Sequence, residues 1–264
     1  MKIRAASQAA AASVCFLAGL CSAQVDYVLD DGRGNSTGVA FDEWDFVFLN
    51  AFTPRAGGEW ITGVSVCWGS ASAGIPAEIL LLDDADGDGS PASARVRAVA
   101  QGVTNPSGNG VFERFAFASP QRVCSIFFVG VRIRRASGGF GVNPARLDPE
   151  ARAIADMAYL AVGSVVDPDL ALDLTRLGEA PIFRRMDANA IPGVWLVRTR
   201  GVGESPCPSD FNGDGFGDFF DYADFVACFE GGACPPCRSA DVNGDGFVDF
   251  FDYEGFVTLF ESGC

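Results

Sequence analysis

Apolar residues come in short bursts over most of this chain. Trp44–Phe52 reads W-D-F-V-F-L-N-A-F, and residues 60–68 read W-I-T-G-V-S-V-C-W, with Ile61, Val64, Val66 and Trp68 apolar. Further runs follow at 77–82, 94–100, 111–118, 123–133 and 193–198. Gly, Pro, Asn and Ser separate them, and helical periodicity is scarce before residue 203. Short strands with such turns predict a mainly β body, an antiparallel β-sandwich or jelly roll over residues 24–198. One stretch reads two ways. Asp148-Pro149-Glu150 and the alanine-rich run after it can start a helix, whereas residues 159–163 read equally well as a strand. Helical spacing is plain near the end, with Phe225, Val226 and Phe229 on one face and Phe256, Val257 and Phe260 on another.

The N-terminus reads as an export signal. Lys2 and Arg4 precede an apolar run over 9–20 and the small residues Cys21-Ser22-Ala23. This predicts a signal peptide over 1–23, cut after Ala23. The run is too short for a membrane span, and no second stretch reaches spanning length. Losing Lys2 and Arg4 leaves 34 acids against 17 bases, seventeen net negative charges. That argues against nucleic acid and anionic membrane as partners. An exported chain with nine cysteines is expected to form disulfides. Cys15 and Cys21 leave with the signal. Cys67 and Cys124 each lie in an expected strand, so a staple across neighbouring strands is the natural pairing. Cys234-Pro-Pro-Cys237 reads as disulfide chemistry rather than zinc, because histidine is absent and no second C-x-x-C follows.

The absence of histidine also excludes Ser-His-Asp and Cys-His nucleophile systems. Paired carboxylates remain open to glycoside chemistry, with Asp42, Glu43, Glu59 and Glu113 as candidates, but nothing in the sequence pairs them. Trp44, Trp60, Trp68 and Trp195 sit in apolar strand patterns and read as core. Asp84, Asp86, Asp88 and Gly89 form a D-x-D-x-D-G turn with Arg95 where a calcium loop would have an acid. It reads as a solvated tight turn, with a calcium hairpin as the alternative.

The most specific signal is a repeat. Residues 210–221 read D-F-N-G-D-G-F-G-D-F-F-D, and residues 241–252 read D-V-N-G-D-G-F-V-D-F-F-D, identical at ten of twelve places and offset by 31. A calcium loop needs oxygens at positions 1, 3, 5, 7, 9 and 12 and a glycine at 6. Those positions hold Asp210, Asn212, Asp214, the Phe216 carbonyl, Asp218 and Asp221, then Asp241, Asn243, Asp245, the Phe247 carbonyl, Asp249 and Asp252. The glycines are Gly215 and Gly246. Position 12 is Asp rather than the Glu of the general EF-hand, and Pro206 and Pro208 argue against a helix before the first loop.

Paired loops of this kind, each followed by one helix, resemble dockerin modules, and the Gly263-Cys264 ending resembles the anchoring modules of exported planctomycete proteins. The resemblance implies a small α module over 209–264 with two EF-hand-like loops and two calcium ions, joined to the body by a linker over 199–208. It implies docking to a cohesin-like or other cell-envelope protein through loop positions 10 and 11, here Phe219, Phe220, Phe250 and Phe251. One ring of each pair is expected to pack between the loop–helix units and the other to face solvent. A pseudo-twofold between the repeats would bring Cys207 to Cys264, and Cys237 to Cys228 or Cys234. The expected function is therefore a secreted, non-catalytic surface or extracellular protein held by calcium-dependent docking. The alternative is a glycan-binding or glycan-hydrolysing protein that carries the same module for assembly.

Overall fold

Two antiparallel sheets form the body of this computed structural model, which describes residues 24–34, 43–70, 72–84, 86–106, 108–134, 145–189, 192–203, 207–214, 216–235 and 238–263. The expected signal peptide, Asp42, Gly215, Cys237 and Cys264 lie outside the described residues. The strands are β1 (Gln24–Tyr27), β2 (Trp44–Phe52), β3 (Trp60–Val66), β4 (Pro76–Asp83), β5 (Arg95–Val103), β6 (Glu113–Arg122), β7 (Phe127–Arg134), β8 (Leu147–Asp148), β9 (Ala158–Ser164), β10 (Ile182–Arg185), β11 (Val194–Trp195) and β12 (Val197–Val202). They order as β1-β12-β3-β6 in one sheet, β10-β9-β2-β7-β4-β5 in a second, and β11-β8 in a short third. The stretch that read two ways is both: a 3-10 segment over Arg152–Met157 runs directly into β9.

The larger sheet is covered on both faces. Phe48, Ile79, Val129 and Val131 pack inward against Val64, Val66 and Trp68 of the smaller sheet's side. On the opposite face Val47, Leu49, Leu80 and Phe128 lie under Leu172 and Leu177 of the segment between β9 and β10. Burial on both sides explains why β2 reads as a nearly continuous apolar run. The smaller sheet is covered on one face, and β12 alternates accordingly, with Val197, Thr199 and Gly201 buried and Arg198 and Arg200 turned outward.

Two polar groups are built into this core. Arg132, on β7, holds Asp45 with Nε 2.9 Å from Oδ1 and 3.1 Å from Oδ2, and a second nitrogen donates to the Leu172 carbonyl at 3.0 Å. The pair ties the covering segment to the sheet. Asn50, fully buried on β2, donates from Nδ2 to the carbonyls of Trp195 (2.7 Å) and Val197 (3.0 Å) and accepts the Trp195 amide at 3.1 Å. It pins β11 and the start of β12 across the core. Asn50→Leu keeps the volume but strands three backbone groups away from water. At about 1–3 kcal/mol for each orphaned group, urea unfolding should report a loss of about 3 kcal/mol or more.

Two expectations about the body need correction. Residues 199–202 are not linker. They pair with β1 from Gln24↔Val202 to Tyr27↔Thr199, because the alternation of β12 runs on through Val202. Cys67 and Cys124 do not staple the sheet. Cys67 is a buried free thiol with Sγ 3.6 Å from the Gly108 carbonyl, while Cys124 is disulfide-bonded elsewhere. The register explains this. Trp60 pairs with Arg122, so Cys124 lies near the start of β3, whereas Cys67 follows its far end. Seven residues of strand separate them by about 23 Å, far beyond disulfide reach.

Candidate functional site

The C-terminal module is two helices, α1 (Phe219–Phe229) and α2 (Phe250–Ser262), each launched from one of the acidic loops. The helices start where they do because Asp218 and Asp249 cap them. Each accepts a first-turn amide, and the loop's twelfth residue returns the bond in a capping box. Thus Asp221 Oδ2 accepts the Asp218 amide at 2.8 Å, and Asp252 Oδ2 accepts the Asp249 amide at 2.9 Å. The other oxygens reach back into the loop. Asp221 Oδ1 accepts from the Asn212 amide, and Asp252 Oδ1 from the amides of Val242 and Asn243. Bonds from the Asp249 and Asn243 amides lead in holding the Asp252 carboxyl below its ordinary value. The shorter aspartate side chain, in place of glutamate, draws each loop tightly onto its own helix.

The rest of each loop is folded by its own side chains in matching ways. Asp210 Oδ1 accepts the amides of Gly213 and Asp214, and Asp241 Oδ1 those of Gly244 and Asp245. Asn212 and Asn243 accept from Asp214 and Asp245, which in turn accept from Phe216 and Phe247. The ligand-type atoms are oxygens throughout, and the carboxylates of Asp221 and Asp252 are fully buried. That donor set suits a hard cation such as calcium. Among the described residues, the acids whose oxygens lie within 4.8 Å of one another as a group of three are Asp84, Asp86 and Asp88 in the β4–β5 connection. The acids of the two loops are spread more widely, turned toward loop amides. In the β4–β5 turn, Asp84 accepts from Gly87 and Gly89, Asp86 accepts from the Ser93 hydroxyl, and Arg95 pairs with Asp83 at 3.6 Å.

Contacts between the helices reveal a pseudo-twofold axis. Phe225 stacks on Phe256, its own counterpart 31 residues on, with ring centres 4.0 Å apart. Tyr222 and Tyr253, also counterparts, share a hydrogen bond of 2.6 Å. Tyr222 meets Phe260 at 5.8 Å, and Phe229 meets Tyr253 at the same 5.8 Å. The start of each helix therefore lies beside the end of the other. One of the two differences between the repeats is explained here. Phe211 fills the core against both Phe225 and Phe256, where the second repeat has the smaller Val242.

With that core filled, neither member of either Phe-Phe pair enters it. Phe219, Phe220, Phe250 and Phe251 are 72%, 67%, 68% and 66% exposed. The expectation that one ring of each pair packs between the units is thus corrected. The pairs occupy the first two helical positions and project from the outer end of each helix. Phe216 and Phe247 are exposed beside them. The helix-face positions Phe225 and Phe256 are buried as expected.

The two loops, so alike in sequence, sit in different surroundings. Asp210 and Phe211 are buried and Asn212 and Gly213 half-buried, whereas their counterparts Asp241 and Val242 are half-buried and Asn243 and Gly244 exposed. The difference comes from Arg238, just ahead of the second loop. Its guanidinium lies over the ring of Trp60 on β3 at 4.9 Å, lies 5.8 Å from that of Phe211, and donates to the Asp210 carbonyl. Burial, with Arg122 nearby, pulls its pKa down to about 10, so it stays charged at neutral pH. A cavity of about 330 Å³ remains at this junction, lined in part by Arg122, Arg238, Asp241 and Leu259. Sequence reading missed Arg238. Its one visible signal was a lone cation in an otherwise acidic segment.

Cys228 pairs with Cys234, which corrects the expectation that either would meet Cys237. The chain turns back at the end of α1 and brings these residues, six apart in sequence, within 4.5 Å between Cα atoms, which leaves Cys234 without a thiolate for zinc. Cys207 is also disulfide-bonded. The body's carboxylate candidates are scattered. Glu59 accepts the Gly57 amide, and Glu113 accepts Nε1 of Trp68 at 2.8 Å. Trp60, Trp68 and Trp195 are buried, and Trp44 is half-buried. Among the described residues no helix is long and apolar enough to cross a membrane.

Neither a family model nor a curated protein matches the chain. Among solved structures, it is similar to the cysteine protease and lectin-like domains of a surface-layer-associated protein of Clostridium difficile, at 11% identity and a TM-score of 0.40. The match covers 69% of this chain and 36% of that one, so the chain spans about a third of its neighbour's length. A likeness this distant carries no argument about activity.

Proposed function

We propose that this is an exported, non-catalytic protein held outside the cell by its C-terminal module. The module binds two calcium ions and docks to a cell-envelope protein, a cohesin-like one being the form that the dockerin resemblance implies. Asp210, Asn212, Asp214, Phe216, Asp218 and Asp221 would hold one ion, and Asp241, Asn243, Asp245, Phe247, Asp249 and Asp252 the other. The ions supply the positive charge that lets so many carboxylates share two small loops.

One observation carries the docking reading: phenylalanine pairs at least 66% exposed stand at the start of both helices, directly after the loops. Exposed apolar clusters rimmed by polar residues mark interaction surfaces, and aromatic rings are favoured anchors. Export is supported by the signal-like N-terminus and by the disulfide. A non-catalytic body is supported by the absence of histidine and by the structural bonds that Glu59 and Glu113 make.

The test is sedimentation of the calcium-loaded chain with cell envelopes of the source organism. Anchors of this kind contribute about 2 kcal/mol each, roughly thirtyfold in affinity. Phe219→Ser with Phe220→Ser should weaken attachment tenfold or more. Adding Phe250→Ser and Phe251→Ser should abolish it, while calorimetry still counts two calcium ions. A fourfold variant that stays folded and still sediments would overturn this reading.

A further inference from the structure

The smaller sheet turns an open face to solvent, and arginines gather on it. Arg198 on β12 pairs in register with Ser65 on β3, and Ser65 with Arg114 on β6. The two arginines therefore flank a serine along one row, about 10 Å apart at ordinary strand spacing. Two residues along β12, Arg200 lies opposite Asp26. Asp26, Ser65, Phe112, Arg114, Arg198 and Arg200 border a cavity of about 250 Å³, room for one small ring.

These side chains are held in place before any ligand arrives. Arg198 Nε lies 3.1 Å from both oxygens of Asp30, whose side chain is fully buried, and its guanidinium covers the Phe112 ring at 4.1 Å. Arg200 Nε donates to Asp26 at 2.7 Å. Arg114 donates to the neutral Thr62 hydroxyl at 2.6 Å, so its charge is not spent on an acid there. Three guanidinium groups thus face two carboxylates, and the pocket is locally positive on a strongly negative chain.

Planar guanidinium forks match carboxylates with two parallel bonds, and side chains already fixed lose little entropy on binding. Asp26 and Ser65 beside them can exchange hydrogen bonds with hydroxyls. The chain's overall charge repels dense polyanions such as nucleic acid. Sparse carboxylates with hydroxyls close by are what remains complementary. We propose that this pocket binds a carboxylate-bearing sugar ring of an acidic polysaccharide, with the fork of Arg114 on the carboxylate, Arg198 lending its charge beside it, and Asp26 and Ser65 on ring hydroxyls. The site lies on the body and does not depend on the docking reading.

The test is calorimetry of the full chain with trigalacturonate, its methyl ester and a short polyglutamate. Trigalacturonate should bind, the neutral ester at least tenfold more weakly, and the peptide no better than the ester. Arg114→Ala, at an exposed site, should cost tenfold or more with an unchanged thermal melt. Arg114→Lys, which keeps the charge but loses the fork, should recover only part. No binding of trigalacturonate, equal binding of ester and acid, indifference to Arg114→Ala, or polyglutamate binding as tightly as the sugar would each overturn the proposal.

Discussion

Chelation of calcium from the loaded full chain is expected to melt α1 and α2 while leaving the sandwich folded, in two resolvable steps. Residues 207–264 carry twelve acids against one base, Arg238. Their hydrophobic core is small, centred on Phe211, Phe225, Cys228, Ala240 and Phe256. A unit of this size rarely stands on such a core alone. Metal-binding free energy then becomes folding free energy, about 4 kcal/mol per site when calcium exceeds its Kd a thousandfold. The steps separate because the loops differ in setting. Asp210 and Phe211 of the first loop are buried under Arg238, while their counterparts Asp241 and Val242 in the second are only half-buried. The second loop should therefore release its ion first. Asp241→Ala should remove the weaker calorimetric site and Asp210→Ala the tighter one, each with loss of helical circular dichroism. No calcium uptake at millimolar concentration, or helix content indifferent to chelation, would sink this.

How far the chain could be read depended on whether its contacts are local. The acidic repeat and both helices were legible because loop chemistry, capping and helical spacing all lie within a dozen residues. The central strand β2 matched the expected Trp44–Phe52 in full, since an apolar run that long has few other uses. Strands β1 and β10 were missed. Each has four residues and is held at a sheet edge by a distant partner, Val202 for Gln24 and Val162 for Ile182. The cysteine pairings failed for the same reason. Cys67 and Cys124 look like neighbours as strand residues, but only the register reveals that they sit at opposite ends of β3. The exposure of all four phenylalanines depended on Phe211. Nothing in the repeated loop pattern says that its second residue will fill the core in their place. The arginine row on the smaller sheet was invisible because Arg114 and Arg198 are 84 positions apart in sequence.

Arg238→Ala is expected to loosen the contact between the module and the body. The residue touches three things: the indole of Trp60 in the sandwich, the ring of Phe211 in the module core, and the carbonyl of Asp210 in the first loop. A largely desolvated cation over an aromatic ring contributes about 1–2 kcal/mol, and a hydrogen bond from a charged donor about 1.5–3. Losing both should cost the junction roughly 3 kcal/mol, partly offset because the buried cation no longer has to be desolvated. Hydrogen exchange should rise at Phe211 by at least tenfold and by less than two orders of magnitude on that account, since 1.4 kcal/mol is a factor of ten. The first loop should also lose its advantage, so that the two calcium sites of the variant become nearly equal. Arg238→Lys keeps a charge near Trp60 but loses the flat guanidinium that reaches ring and carbonyl together, and it should fall between. If Arg238→Ala remains folded with unchanged exchange at Phe211 and two unequal calcium sites, the loops differ for some reason other than this contact. The body and module would then meet here without energetic coupling.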